Sequence, residues 1–208
     1  MKSAPMHVAA CAVTIAAAAL AGCSGSVSAP TSYDNYNAKD GSFACKYPAG
    51  WEAKGGGRGG FHSASFSQGA AKIKVSADLA GSLLGDIAKS GMAGMMPAGE
   101  VGLAEEDLEE FSPVAQVHQM GQEEMADEFG DYQEQASEAV DTELGKGRLS
   151  EFSASTGFGG KLRGYRLTVL AHDRRVTVVC YVPEKNWAVL EPAFSEVIGS
   201  LKRGKEEL

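Results

Sequence analysis

Residues 165–182 read YRLTVLAHDRRVTVVCYV, and this stretch decides the fold class. Tyr165, Leu167, Val169 and Ala171 recur at every second position, as do Val176, Val178, Cys180 and Val182. A period of two is that of a half-buried strand, and the polar Asp173-Arg174 between the two runs predicts a turn. Upstream, Arg148–Ser155 reads as a further strand. Phe61–Ser67 and Lys72–Asp78 form another pair, with Ile73, Val75 and Ala77 pointing one way. The opening strand alternates Phe43, Cys45 and Tyr47 with Ala44 and Lys46, and Pro48-Ala49-Gly50 suits a turn with Pro second and Gly fourth. Between these strands, residues 54–60 (KGGGRGG) predict a glycine-rich hairpin tip.

Helical signals occupy the middle and the end. Residues 82–96 predict a loose, Gly-interrupted helix, and 103–111 a short acidic one. Ser112 followed by Pro113 is the N-cap and first position of a helix, where both residues are favoured. From there Val114, Val117, Gly121, Met125 and Phe129, spaced by three and four, form one stripe of a helix ending near Gly130. Phe194, Val197, Ile198 and Leu201 predict a terminal amphipathic helix behind Pro192. Strands of this alternating kind, joined by short turns, give an α+β fold: an antiparallel sheet flanked by helices.

The chain has 208 residues, enough for one domain with a core. Its 44% hydrophobic and 22% charged residues exclude wholesale disorder. A net charge of −8 argues against nucleic acid as a partner, because a phosphate backbone would be repelled.

The first 22 residues form a separate unit. After Lys2, residues 8–20 (VAACAVTIAAAAL) are an apolar run too short to span a bilayer, which needs about 20 residues. A charged start, an apolar middle and small residues at the cut describe a secretory signal. The cut region Leu20-Ala21-Gly22-Cys23 resembles the lipobox of bacterial lipoproteins. That resemblance implies a diacylglyceryl thioether on Cys23, cleavage before it and attachment to a membrane through the lipid; the alternative is a plain secretory signal with Cys23 incidental. Ser24, rather than Asp, resembles the residue that follows the lipid in outer-membrane lipoproteins, so the expected location is the cell membrane or outer membrane, facing the extracytoplasmic or periplasmic space. Residues 23–40, rich in Ser, Pro, Asn and Asp, read as a flexible tether spanning on the order of 20 Å. The folded domain is expected over 41–203, with a frayed tail at 204–208.

The opening segment FACKYPAGW (43–51) and the closing segment FSEVIGSL (194–201) resemble the PsbP/Mog1-like superfamily. The resemblance implies a central antiparallel sheet between helices, an α/β/α sandwich. It also implies a non-catalytic role as an extrinsic or assembly subunit. The shared residues are core and turn residues, so no functional site carries over.

No catalytic signature stands out. Cys45 and Cys180 are left once Cys11 leaves with the signal and Cys23 takes the lipid; a disulfide between them and two buried free thiols are both open readings. Met92, Met95 and Met96 read as core packing rather than a copper(I) site. His62, His118 and His172 have no His or Cys at zinc-ligand spacing and read as ordinary structural or surface residues. The glycine run lacks the Lys-Ser/Thr of a phosphate loop. Two acidic runs, 105–110 and 123–131, lack calcium-loop spacing and read as solvated helix faces. The expectation is therefore a lipid-anchored, non-enzymatic binding or assembly factor with no cofactor. Arg58, Glu123, Glu124 and Asp127 are its candidate contacts to an envelope protein partner, and a small-ligand or metal carrier is the alternative.

Overall fold

A computed structural model describes residues 27–79, 112–171 and 174–206. Ten strands and two helices appear among them. The strands are β1 (Tyr33–Asn37), β2 (Ala44–Pro48), β3 (Glu52–Arg58), β4 (Phe61–Gln68), β5 (Ala71–Leu79), β6 (Gly130–Glu134), β7 (Glu138–Thr142), β8 (Gly145–Ser155), β9 (Lys161–Ala171) and β10 (Arg174–Pro183). The helices are α1 (Pro113–Glu128) and α2 (Trp187–Gly199). Eight strands form one antiparallel sheet in the order β3-β4-β5-β10-β9-β8-β6, with β7 also pairing β8, while β1 and β2 make a separate hairpin. This is the expected α+β architecture.

Alternation along the strands sorts the side chains into two layers. On one face Phe66, Ile73, Val178, Cys180 and Leu167 pack under α2 and the β1–β2 hairpin, meeting Phe43, Leu190 and Phe194 in the main core. On the other face α1 lays Met125 and the following Phe129 against Phe152, Leu162 and Val179. Ser112 caps α1 as its sequence predicts, its side chain accepting from the Ala115 N–H. The central β9–β10 pairing runs in continuous register from Arg174 opposite Ala171 to Pro183 opposite Leu162.

Several expectations are corrected. Residues 33–37 are a strand and not tether, and Ala38 is completely buried. Tyr36 supplies the reason: its ring stacks on Phe43 at 5.8 Å and meets Phe66 edge-on at 5.4 Å, so a polar-looking segment buries aromatic surface. Val27 also packs against the main core, so the fold begins well before residue 41. At the other end, the Asn37 side chain accepts from the Lys205 N–H and donates to the Lys205 carbonyl, both at 2.7 Å, and Asp40 bridges Glu206. Residues 204–206 are thus held rather than frayed.

The glycines of KGGGRGG lie mostly inside β3, and only Gly59 and Gly60, at φ of 61° and 83°, make the tip. The glycine content of β3 is explained by what lies over it. A Cβ at 55 would overlap the Tyr36 hydroxyl, and one at 57 would come within 2.7 Å of His62 Nδ1. Pro192 sits inside α2, which starts at Trp187, and not ahead of it. The helices expected at 82–96 and 103–111, with Met92, Met95, Met96 and the first acidic run, lie outside the described residues, as does His172.

Candidate functional site

The chemistry-bearing side chains collect in two places, one under α1 and one beneath the β1–β2 connection. Under α1, His118 points from the helix into the sheet and meets Ser150 of β8, Thr168 and Arg166 of β9, and Glu134 of β6. All five side chains are almost completely buried. His118 Nδ1 lies 2.9 Å from Thr168 Oγ1, and Nε2 lies 2.9 Å from Ser150 Oγ and 3.3 Å from Glu134 Oε1. Arg166 forks onto Glu134, Nε to Oε1 and Nη2 to Oε2, both at 2.9 Å. Its Nη2 also donates to the His118 carbonyl at 2.7 Å. Ser150 Oγ donates to Glu134 as well.

The protonation states follow from these contacts. Burial alone would raise the Glu134 carboxyl; hydrogen bonds from His118, Arg166 and Ser150 and the Arg166 charge outweigh it and hold the group at about 2. For His118, burial comes first in pushing the imidazole below its usual value, with the charges of Arg166 and Arg148 adding to it and Glu134 opposing. At neutral pH the pocket holds an ionised Glu134, a charged Arg166 and a neutral imidazole, protonated at Nε2 and accepting from Thr168 at Nδ1.

Ser, His and Glu in contact invite comparison with a nucleophilic triad, and the geometry does not match one. A triad places serine and carboxylate on opposite ring nitrogens. Here both meet Nε2, Nδ1 is taken by Thr168, and the Ser150 proton is committed to Glu134. The arrangement is a clamp: Arg166 ties the backbone of α1 to the β6 carboxylate across the sheet. Gly121 makes room for it, since a Cβ there would sit 2.7 Å from Arg166 Nη1. A cavity of about 270 Å³ adjoins the clamp, lined by His118, Gln119, Gln122, Glu134, Gln135 and Arg148 among others.

The second cluster ties the β1–β2 connection to the sheet. Tyr36 Oη lies 2.9 Å from His62 Nε2, and His62 Nδ1 lies 3.7 Å from Asp40 Oδ1. Asp40 accepts from the Ser42 N–H at 3.1 Å and from its hydroxyl at 2.6 Å, and Arg174 Nη1 reaches Oδ2 at 3.1 Å. Partial burial raises the Asp40 carboxyl, but the Ser42 bonds and the charges of Arg174 and His62 leave it below the ordinary aspartate value. A cavity of about 430 Å³ beside this cluster is bordered by Lys39 and Arg58.

The sequence-derived candidates are distributed around these clusters. Arg58 ends β3, exposed. Glu123, Glu124 and Asp127 are exposed on α1, and Glu124 joins Glu128, Lys54, Lys72 and Lys74 around a groove of about 600 Å³ over β3–β5. Arg58 and Glu124 therefore border different cavities. Cys45 and Cys180 share the main core as free thiols, and burial pushes Cys45 up to about 12 and Cys180 upward as well. Cys23 lies outside the described residues. What sequence reasoning missed is the clamp. Its visible trace is on β9, where Arg166 and Thr168 stand between Leu162 and Leu170 on the face opposite Leu167 and Val169.

No family model matches the chain, and no curated protein matches it. The solution structure of the cyanobacterial PsbP protein CyanoP from Synechocystis sp. PCC 6803 is similar at a TM-score of 0.54 and 16% identity, over 88% of this chain and 98% of that one. LpqN of Mycobacterium tuberculosis, described as involved in cell envelope biogenesis, is similar at a TM-score of 0.46 and 11% identity, over 83% of this chain and 92% of that one. The chain has a PsbP-like α+β fold.

Proposed function

We propose that this protein is a bacterial envelope lipoprotein, attached through Cys23, whose PsbP-like domain works as a non-enzymatic binding or assembly factor held close to the membrane. The observation that carries the reading is the short distance from lipid to fold. The lipobox ends at Cys23, and Val27 already packs on the main core. Four residue steps reach at most about 14 Å. The domain then stands against the bilayer instead of swinging on a long tether. No helix among the described residues is long and apolar enough to cross a membrane, so the lipid is the attachment this reading depends on.

Confinement to a surface raises the local concentration of protein and partner together, so modest contacts suffice for association. The exposed acids Glu123, Glu124 and Asp127 on α1 are the contacts offered to an envelope partner, with Arg58 at the end of the edge strand β3. The buried clamp supports a binding rather than a catalytic role, because its carboxylate, imidazole and hydroxyl are spent on one another.

The test is a Cys23→Ala variant of the full chain. Wild type is expected in the membrane fraction after a high-salt wash, and the variant in the soluble extracytoplasmic fraction. A variant that stays with the membrane overturns the anchor. In-cell cross-linking followed by mass spectrometry, wild type against Cys23→Ala, is expected to recover one dominant envelope protein that depends on the anchor and is lost on charge reversal at Glu123, Glu124 and Asp127. Recovery indifferent to both changes overturns the binding role.

A further inference from the structure

Strand β3 is an edge of the eight-stranded sheet, and it differs from the opposite edge in ways that matter for association. The far side of β8 is covered by two five-residue strands, β6 and β7, and the β6 pairing is broken by a register shift between Gly130 and Gln133. Short, irregular edges of that kind resist strand addition. β3 runs seven residues in unbroken register against β4, every residue is exposed, and it contains neither Pro nor bulge. Among the described residues its outer side has no strand partner.

We propose that β3 pairs with β3 of a second copy of this chain, antiparallel and centred on Gly55, joining the two sheets edge to edge. The charge pattern singles out this partner and register. Centring on Gly55 is the register that pairs all seven residues, and it sets Glu52 opposite Arg58 at both ends of the ladder. Directly opposed residues lie on the same face of an antiparallel pair, so each Glu52 meets the Arg58 of the other copy side by side. Lys54 falls opposite Gly56, which has no side chain, and keeps the Glu52 contact it already makes at 2.9 Å. Shifting the centre to Gly56 would instead set Lys54 against Arg58.

The glycines also fit. With Gly55 at the dyad and Gly56 and Gly57 beside it, two backbones approach with no side chain projecting between them. On one face the Tyr36 hydroxyl lies over Gly55, so the two tyrosines flank the dyad and shield the central hydrogen bonds from water. Lys and Arg on an edge strand ordinarily discourage pairing with arbitrary strands. In the two-fold register those same charges are matched, which makes the edge selective for itself. The inference does not depend on lipid attachment, and it assigns to Arg58 a partner distinct from the one that would meet α1.

The experiment uses the full chain in intact cells with Gly56→Cys as a cross-linking position, because a Cβ at 56 meets nothing within 4 Å. In the proposed register the two positions are diagonal neighbours about 7–8 Å apart, within reach of a short bismaleimide. A covalent dimer is expected. Adding Glu52→Arg or Arg58→Glu alone opposes like charges at both ends and is expected to lower its yield about tenfold or more. The double reversal E52R/R58E restores the match, and so does co-expression of the two single reversals, which yields the mixed dimer. Thermal melts of each variant, expected to be unchanged because both side chains are exposed, separate loss of pairing from loss of fold. Absence of the dimer, a yield indifferent to the single reversals, failure of the mixture to restore it, or a cross-link to a different protein each overturns the proposal.

Discussion

At the scale of single residues, Arg166 and Glu134 form an ion pair buried almost completely between α1 and the sheet. Two charges have been taken out of water, and their mutual fork plus the bonds from Ser150 and to the His118 carbonyl compensate for the lost hydration. Removing one partner leaves the other buried and unpaired. Arg166→Leu is therefore expected to cost about 3–5 kcal/mol in urea unfolding, whereas replacing both by apolar residues of similar volume costs much less. Acid acts through the same cluster. The folded-state values of His118 and Glu134 are both depressed, so their contribution to stability is complete above the unfolded values and is lost as pH falls. Unfolding free energy is expected to decline first below the ordinary histidine range, 6.5, and again from 4.5 toward about 2 as Glu134 protonates. A His118→Asn variant should lack the first step of the measured pH profile and keep the second.

At the scale of elements, β3 and β1 depend on each other. The glycine at 55 is required by the Tyr36 hydroxyl above it, while the one at 56 faces open space. Gly55→Ala is expected to destabilise the domain by about 1–3 kcal/mol, the usual range for overpacking. Gly56→Ala is expected to stay within about 0.5 kcal/mol of wild type in the same denaturation experiment, as for surface changes that touch nothing. This contrast also explains why the glycine run misled a reading by composition. A cluster of glycines ordinarily marks a loop, and here it marks a strand overlaid by an aromatic ring. Tyr36 was legible only as one tyrosine in a polar stretch, since the ring contacts that make β1 a strand come from Phe43 and from Phe66 thirty residues away.

At the scale of the whole molecule, the segments on either side of the expected domain, residues 27–40 and 204–206, are part of the fold. A chain starting at Gly41 would lose β1, the Tyr36 contacts and the Asn37 hold on Lys205. It is expected to melt well below one starting at Val27, by circular dichroism. The two core cysteines offer a check on the interior. In a background of Cys11→Ala and Cys23→Ala, Cys45 and Cys180 should resist a thiol reagent in the native protein, because both are buried and their thiols are pushed upward. Both should react at once in denaturant without reductant; no reactive thiol would indicate a bridge between them.

The period-two runs on β5, β9 and β10, the Ser112-Pro113 start of α1 and the terminal helix were readable from the sequence because each is a local pattern that one buried face imposes on its own residues. The α+β class followed from them. The resemblance of Leu20-Ala21-Gly22-Cys23 to a lipobox rests on a contiguous segment alone and needs no folded context. The clamp was not readable. His118, Glu134, Ser150, Arg166 and Thr168 come from four elements, and their burial is tolerated because each is hydrogen-bonded to another and the two charges, Arg166 and Glu134, are paired, a property of contacts across the sheet and not of any one segment. The status of β1 and β3 was likewise decided by tertiary contact, where aromatic rings from distant strands outweighed the local preference of Asn, Asp and Gly for turns.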